Sequence, residues 1–148
     1  MKTLAKIMLG AASTMMFALP AQAGKVQPAP VTVDLDTRFA GGDLITARDD
    51  KDDEVFIGCG MRAFDFGGGA TFTTGFCQAT DDEGDAVLCF TQSDHLLESM
   101  RSTSDSAYLT FSWDDDGSGN LTCNRVGFST QSFYLDKHTM GNTQGNGK

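Results

Sequence analysis

The chain has 148 residues, with 20 acidic side chains against 11 basic ones and a formal net charge of −9. That balance argues against nucleic acid as a partner, because phosphate backbones are met by basic patches. With the leader described next set aside, 125 residues remain, enough for one core-forming domain and too few for two ordinary ones.

Residues 1–23 have the form of a secretory signal peptide. Lys2 and Lys6 make a positive start, Ile7 to Leu19 is mostly apolar and small, Pro20 breaks the run, and Ala21-Gln22-Ala23 is an A-x-A cleavage site. The apolar run falls short of the roughly 20 residues a membrane span needs, and no cysteine follows the cleavage site to carry a lipid. The expected product is periplasmic or secreted, with no membrane span. Because Lys2 and Lys6 are the leader's only charges, residues 24–148 hold 9 basic and 20 acidic groups, a net −11.

Residues 24–30 read as a flexible, Pro-containing tether, 31–136 as a single domain, and 137–148, which lack an apolar pattern, as a disordered tail. Strand-like segments dominate the domain: Val31–Asp36, Leu44–Ala47, Val55–Phe66, Thr71–Ala79, Ala86–Thr91, Ala107–Trp113 and Leu121–Leu135, the last with a bend or bulge expected at Gly127. Turn signals separate them at Gly41-Gly42-Asp43, Gly67-Gly68-Gly69, Asp82-Glu83-Gly84 and Asp114–Asn120, and Asp49–Glu54 is a charged surface loop. One helix is predicted over 94–103. Ser93 can cap it, Asp94 lies in its first turn, Leu96, Leu97 and Met100 share a face, and Arg101 sits near its end. The expected class is α+β, a mostly antiparallel meander with one short helix, stabilised by disulfides.

Four cysteines in an exported domain imply two disulfides, and no C-x-x-C pair or cysteine–histidine spacing points to a metal instead. A hairpin centred on Gly68 places Cys59 opposite Cys77. A three-residue loop Asp82-Glu83-Gly84, with Gly84 in the left-handed region, places Cys77 opposite Cys89. Cys59 and Cys89 then stand two strands apart, about 10 Å, too far to bridge. If Asp81:Asp85 is a hydrogen-bonded pair, 77:89 is one too, and 59:77 is a non-hydrogen-bonded pair with closer side chains. That favours Cys59–Cys77 with Cys89–Cys123. A one-residue slip in either turn would favour Cys77–Cys89 with Cys59–Cys123. The same registers put Phe56, Phe64, Phe72, Phe76, Leu88 and Phe90 on one face and Ile57, Cys59, Met61, Cys77, Val87 and Cys89 on the other. Both faces are apolar enough to expect cover, one from the helix and one from the late strands. The aromatic row is therefore expected to be core rather than a ligand platform.

Candidate chemistry is sparse. Asp114, Asp116 and Ser118, followed by Gly119 and Leu121, resemble the first half of a calcium loop, but Arg125 stands where a bidentate acid belongs, so a plain solvated turn is expected. Ser93-Asp94-His95 has the residue types of a hydrolytic triad, yet adjacent positions cannot form a relay. His138 lies in the tail. Asp65 and Asp105 are single acids among apolar residues, the setting in which a carboxylate pKa can rise.

From Gly75 to Leu135 the sequence carries Gly75-Phe76-Cys77-Gln78-Ala79, an Asp/Gly turn, a cysteine twelve positions on, a short helix, Tyr108–Asp114, and Gly119-Asn120-Leu121-Thr122-Cys123. This resembles small exported bacterial cysteine-containing proteins, which imply no activity, cofactor or catalytic residue. The Asp114–Asn120 turn is longer here than in those proteins. The reading is a non-catalytic exported binding or accessory domain with an acidic surface and no cofactor. Its partner could be a cationic protein, and a periplasmic inhibitor or immunity-type protein is the most specific form. The alternatives are a small carboxylate-dependent hydrolase and a calcium-dependent module.

Overall fold

The computed structural model describes residues 25–104 and 107–135. The predicted leader, Asp105, His138 and the predicted tail lie outside them. Seven strands form one sheet: β1 (Thr32–Asp34), β2 (Phe39–Asp43), β3 (Phe56–Asp65), β4 (Thr71–Thr80), β5 (Ala86–Thr91), β6 (Tyr108–Asp115) and β7 (Leu121–Ser129). Helix α1 (Leu44–Arg48) lies between β2 and β3, and α2 (Asp94–Arg101) between β5 and β6. The spatial order is β1-β2-β6-β7-β5-β4-β3.

The β3–β4–β5 meander is present, with Cys59 opposite Cys77 and Cys77 opposite Cys89. The Asp81 N–H donates to the Asp85 carbonyl, and Gly84 has φ 86°. The Phe66 N–H donates to the Ala70 carbonyl, so the hydrogen-bonded pairs of β3 with β4 are 64:72, 62:74 and so on, leaving 59:77 between them. The disulfides are Cys59–Cys77 and Cys89–Cys123, the former across a Cα separation of 4.0 Å. Helix α2 also lies where capping and periodicity place it, ending two residues before the predicted 103.

Beyond the meander the sheet is mixed. After β5 the chain crosses in α2, whose Leu96, Leu97 and Met100 are buried. Leu97 and Met100 press on β4 at Gly75, where a Cβ would lie 2.5 Å from the Met100 sulfur and 2.9 Å from Leu97 Cδ2, so a larger residue there would have to displace the ends of both side chains. The crossover delivers β6 two strand positions from β5, and β7 returns into the gap, antiparallel to β6 and parallel to β5. The late strands thus extend the sheet edgewise instead of stacking over it.

Several sequence expectations change outside the meander. Leu44–Ala47 is helical, because the Asp43 carboxylate accepts the Ile45 and Thr46 N–H groups as an N-cap. Gly41-Gly42-Asp43 belongs to β2. The last predicted strand stops at Ser129, followed by one 3₁₀ turn at Ser132–Tyr134. Its irregularity leaves Asn124 unpaired between Arg125:Ser112 and Cys123:Trp113, while Gly127 pairs normally with Thr110. The described part of the tether is also docked. The Gln27 N–H donates to the Phe133 carbonyl, Ala29 and Asp43 exchange two bonds, and Lys25 lies over the Phe133 ring.

One cluster forms the core. Phe111, Leu109, Ala40, Cys77, Cys89, Ala79 and Cys123 are its most deeply buried members. The sheet curls around it until β1 reaches the β4–β5 turn. There the buried Val33 N–H donates to Asp81 Oδ2 at 2.9 Å, while Asp81 Oδ1 accepts the Glu83 and Asp85 N–H groups. Asp81 thus holds its own turn and latches edge strand β1 to the β4–β5 turn.

Candidate functional site

The outer face of β3–β5 is the feature that core-building does not explain. The registers sort the side chains as expected, and the cysteine face is covered by α2 and by the curl of the sheet. The aromatic face has no layer over it among the described residues. Phe56, Phe64, Phe72, Leu88 and Phe90, with Phe66 beyond them, are between 38% and 71% exposed. The expectation of a covered aromatic core is overturned, for the reason given above: β6 and β7 lengthen the sheet rather than form a second layer. Phe76, half-buried, lies flat on Gly60, where a Cβ would meet its ring at 2.8 Å, and Arg62 lies over the same ring at 5.2 Å.

The face continues onto an arm. Strand β5 reaches only as far as Gly75, so beyond that point β3 and β4 run on as a two-stranded ribbon closed by Gly67-Gly68-Gly69. Every residue from Arg62 to Phe72 is exposed. Phe64 and Phe72 are directly opposed with rings 5.9 Å apart, and Phe66 stacks on Phe64 at 6.1 Å. A lone two-stranded ribbon is marginal in water, and exposed contiguous apolar patches of this kind mark interaction surfaces.

Charge is segregated. Strands β3, β4 and β5 together carry two charged side chains, Arg62 and Asp65. The Asp49–Glu54 and Asp81–Asp85 loops lie at the opposite end of these strands from the ribbon tip, because Phe56 pairs with Thr80 there. The acidic loops therefore border the Phe56–Leu88 end of the aromatic face.

A second concavity, about 520 Å³, lies between α1, the docked segment and the 3₁₀ turn, with Val26, Ile45, Phe133 and Tyr134 in its lining. Its buried carboxylate, Asp43, already accepts from the Ala29, Ile45 and Thr46 N–H groups and the Thr46 hydroxyl. Those bonds account for Asp43 as a structural clamp. The signal for it was an N-cap residue before the short, mostly apolar run Leu44–Ala47, with Arg48 in the last turn.

The other sequence candidates are not brought together. In the Asp114–Asn120 turn, Asp115 Oδ1 accepts the Gly117 N–H and Asp116 Oδ1 accepts both the N–H and the hydroxyl of Ser118. The Ser118 hydroxyl, and then its N–H, hold the Asp116 carboxyl below its usual pKa. Arg125 lies over the Phe39 ring. Among the described residues no three His, Cys, Asp or Glu side chains are grouped to hold a metal. Asp65 is exposed at the ribbon end and accepts the Gly67 N–H. Ser93, Asp94 and His95 are all exposed.

The Ser93 side chain makes no capping bond, contrary to the sequence reading, although its backbone begins α2. Ser93→Ala should therefore change stability by less than about 0.5 kcal/mol, below the range for a working cap. A loss above 1 kcal/mol in urea unfolding would show that the hydroxyl caps the helix in solution.

Compared with known proteins, the chain matches no family model, no curated protein and no solved structure. No described helix is long and apolar enough to cross a membrane. The two disulfides are compatible with an oxidising compartment.

Proposed function

We infer that this is a non-catalytic, exported binding domain whose working surface is the aromatic outer face of β3–β5 and its ribbon. The observation that carries the reading is the row Phe56, Phe64, Phe72, Leu88 and Phe90, left exposed on a domain that buries its other sheet face. Rigid aromatic side chains on regular strands give contact area at little entropic cost, and such groups anchor interfaces. Acidic loops at one end of the face favour a protein partner with an apolar patch and a basic flank. The charge would speed and orient the encounter and the phenylalanines would hold the complex. An inhibitor or immunity-type role is one form of this reading, in which the partner is a cationic enzyme or toxin.

The test is capture from the exported fraction of the native cell, comparing the wild type with Phe72→Ser/Phe90→Ser. A partner held by the wild type should be retained at least tenfold less by the variant, and its capture should weaken as salt rises. Equal capture by both proteins would reject the aromatic face as the working surface.

A further inference from the structure

We propose that the free edge of β3 pairs with β3 of a second copy, antiparallel about Gly60, to give a symmetric dimer with one continuous sheet. The sheet has two edges, and they are managed differently. Strand β1 offers three residues. Strand β3 offers ten, in unbroken register with β4, without proline or lysine. Short strands, charged side chains, prolines and bulges are the usual protections of an edge, and of these β3 has only Arg62 and Asp65, both toward its ribbon end. The parity shown by the Phe66–Ala70 bond turns the backbone groups of Cys59, Met61, Ala63 and Asp65 away from β4. Because β3 is the end strand of the sheet, no neighbouring strand takes up these groups.

The strand is self-complementary about Gly60. In Phe56-Ile57-Gly58-Cys59-Gly60-Met61-Arg62-Ala63-Phe64, a two-fold axis at Gly60 sets Phe56 against Phe64 of the second copy, and the reverse. Both are non-hydrogen-bonded positions, where cross-strand side chains come closest. Cys59 and Met61 of the two copies then exchange backbone bonds. Arg62 falls opposite Gly58, where a Cβ would meet nothing within 4 Å, so its long side chain has room. An axis at Arg62 would oppose two like charges.

Long-range charge agrees. In this arrangement the Asp49–Glu54 loops of the two copies lie at opposite ends of the shared strand pair, roughly 40 Å apart, several screening lengths at physiological salt. The dimer would join the two aromatic faces through the Phe56–Phe64 contacts.

The test is sedimentation of the mature protein from 1 to 100 μM, with three variants. The wild type should be a dimer in the upper part of that range. Ala63→Pro removes an N–H that points away from β4, so it should keep the wild-type circular dichroism and melting temperature while sedimenting as a monomer. Gly58→Arg should weaken association at least tenfold by opposing Arg62, whereas Gly58→Glu should tighten it. Phe72→Ser/Phe90→Ser should dimerise like the wild type, so this proposal and the binding reading fail separately. A wild type that stays monomeric at 100 μM, an Ala63→Pro protein that dimerises unchanged, or equal effects of arginine and glutamate at position 58 would each overturn the proposal.

Discussion

Asp43→Ala should destabilise the domain by about 3–5 kcal/mol, a large fraction of the stability of a single small domain. The carboxylate is almost fully buried and accepts four hydrogen bonds. Two come from the first turn of α1, one from the Thr46 hydroxyl and one from Ala29. Alanine would strip α1 of its cap, orphan the Ala29 N–H and release the docked 25–30 segment from the domain. Bonds to a charged acceptor contribute about 1.5–3 kcal/mol each, but these share one carboxylate and the adjacent cleft lets water replace part of the loss, so they do not sum. Asp43→Asn, which keeps an acceptor oxygen, should lose less. Urea unfolding measures the stability, and limited proteolysis at Lys25 reports the released segment. An alanine variant within 1 kcal/mol of the wild type, with Lys25 still protected, would show that Asp43 is not the clamp.

The β3–β5 half was legible because turn chemistry fixes side-chain parity. Gly84 in the left-handed region and the Gly67–Gly69 tip set both registers, and the cysteines then fell into one row. Helix α2 was legible from Leu96, Leu97 and Met100 on one face. Elsewhere a single residue did two jobs. Asp43 ends β2 and caps α1, so it looked like a turn residue, and the four apolar-rich residues after it are too few to separate helix from strand by period. The place of β7 beside β5 depends on α2 crossing the sheet face, a tertiary event that no local pattern records. The aromatic face shows the same limit. Alternation correctly assigned Phe56, Phe64, Phe72, Leu88 and Phe90 to one side, but whether β6 and β7 would stack over that side or extend the sheet was not encoded in it. The candidate site was thus visible as a row of residues and invisible as a surface.

Removing the two disulfides should have unequal effects, and Cys89→Ala/Cys123→Ala should be the worse. The chain-entropy argument alone predicts about 4 kcal/mol for the 34-residue separation of Cys89–Cys123 and about 3 kcal/mol for the 18-residue separation of Cys59–Cys77. Position widens the gap. Cys59 and Cys77 sit within a ten-pair antiparallel hairpin that holds its own register without them. Strands β5 and β7 share one register pair, Phe90 with Thr122, at the parallel junction between the two halves of the sheet. The adjacent Cys89–Cys123 bond staples that junction in the core, where Cys89 and Cys123 are almost wholly buried. Without it, β6–β7 and β3–β5 would be held together chiefly by α2, the curl of β1 onto Asp81, and core packing. Urea unfolding of the two double variants measures the ranking. Hydrogen exchange should place the loss in Cys89→Ala/Cys123→Ala along β5 and β7, with the β3–β4 ribbon little changed. If Cys59→Ala/Cys77→Ala proved equally destabilising, the weak point of the sheet would lie in the hairpin and not at the β5–β7 junction.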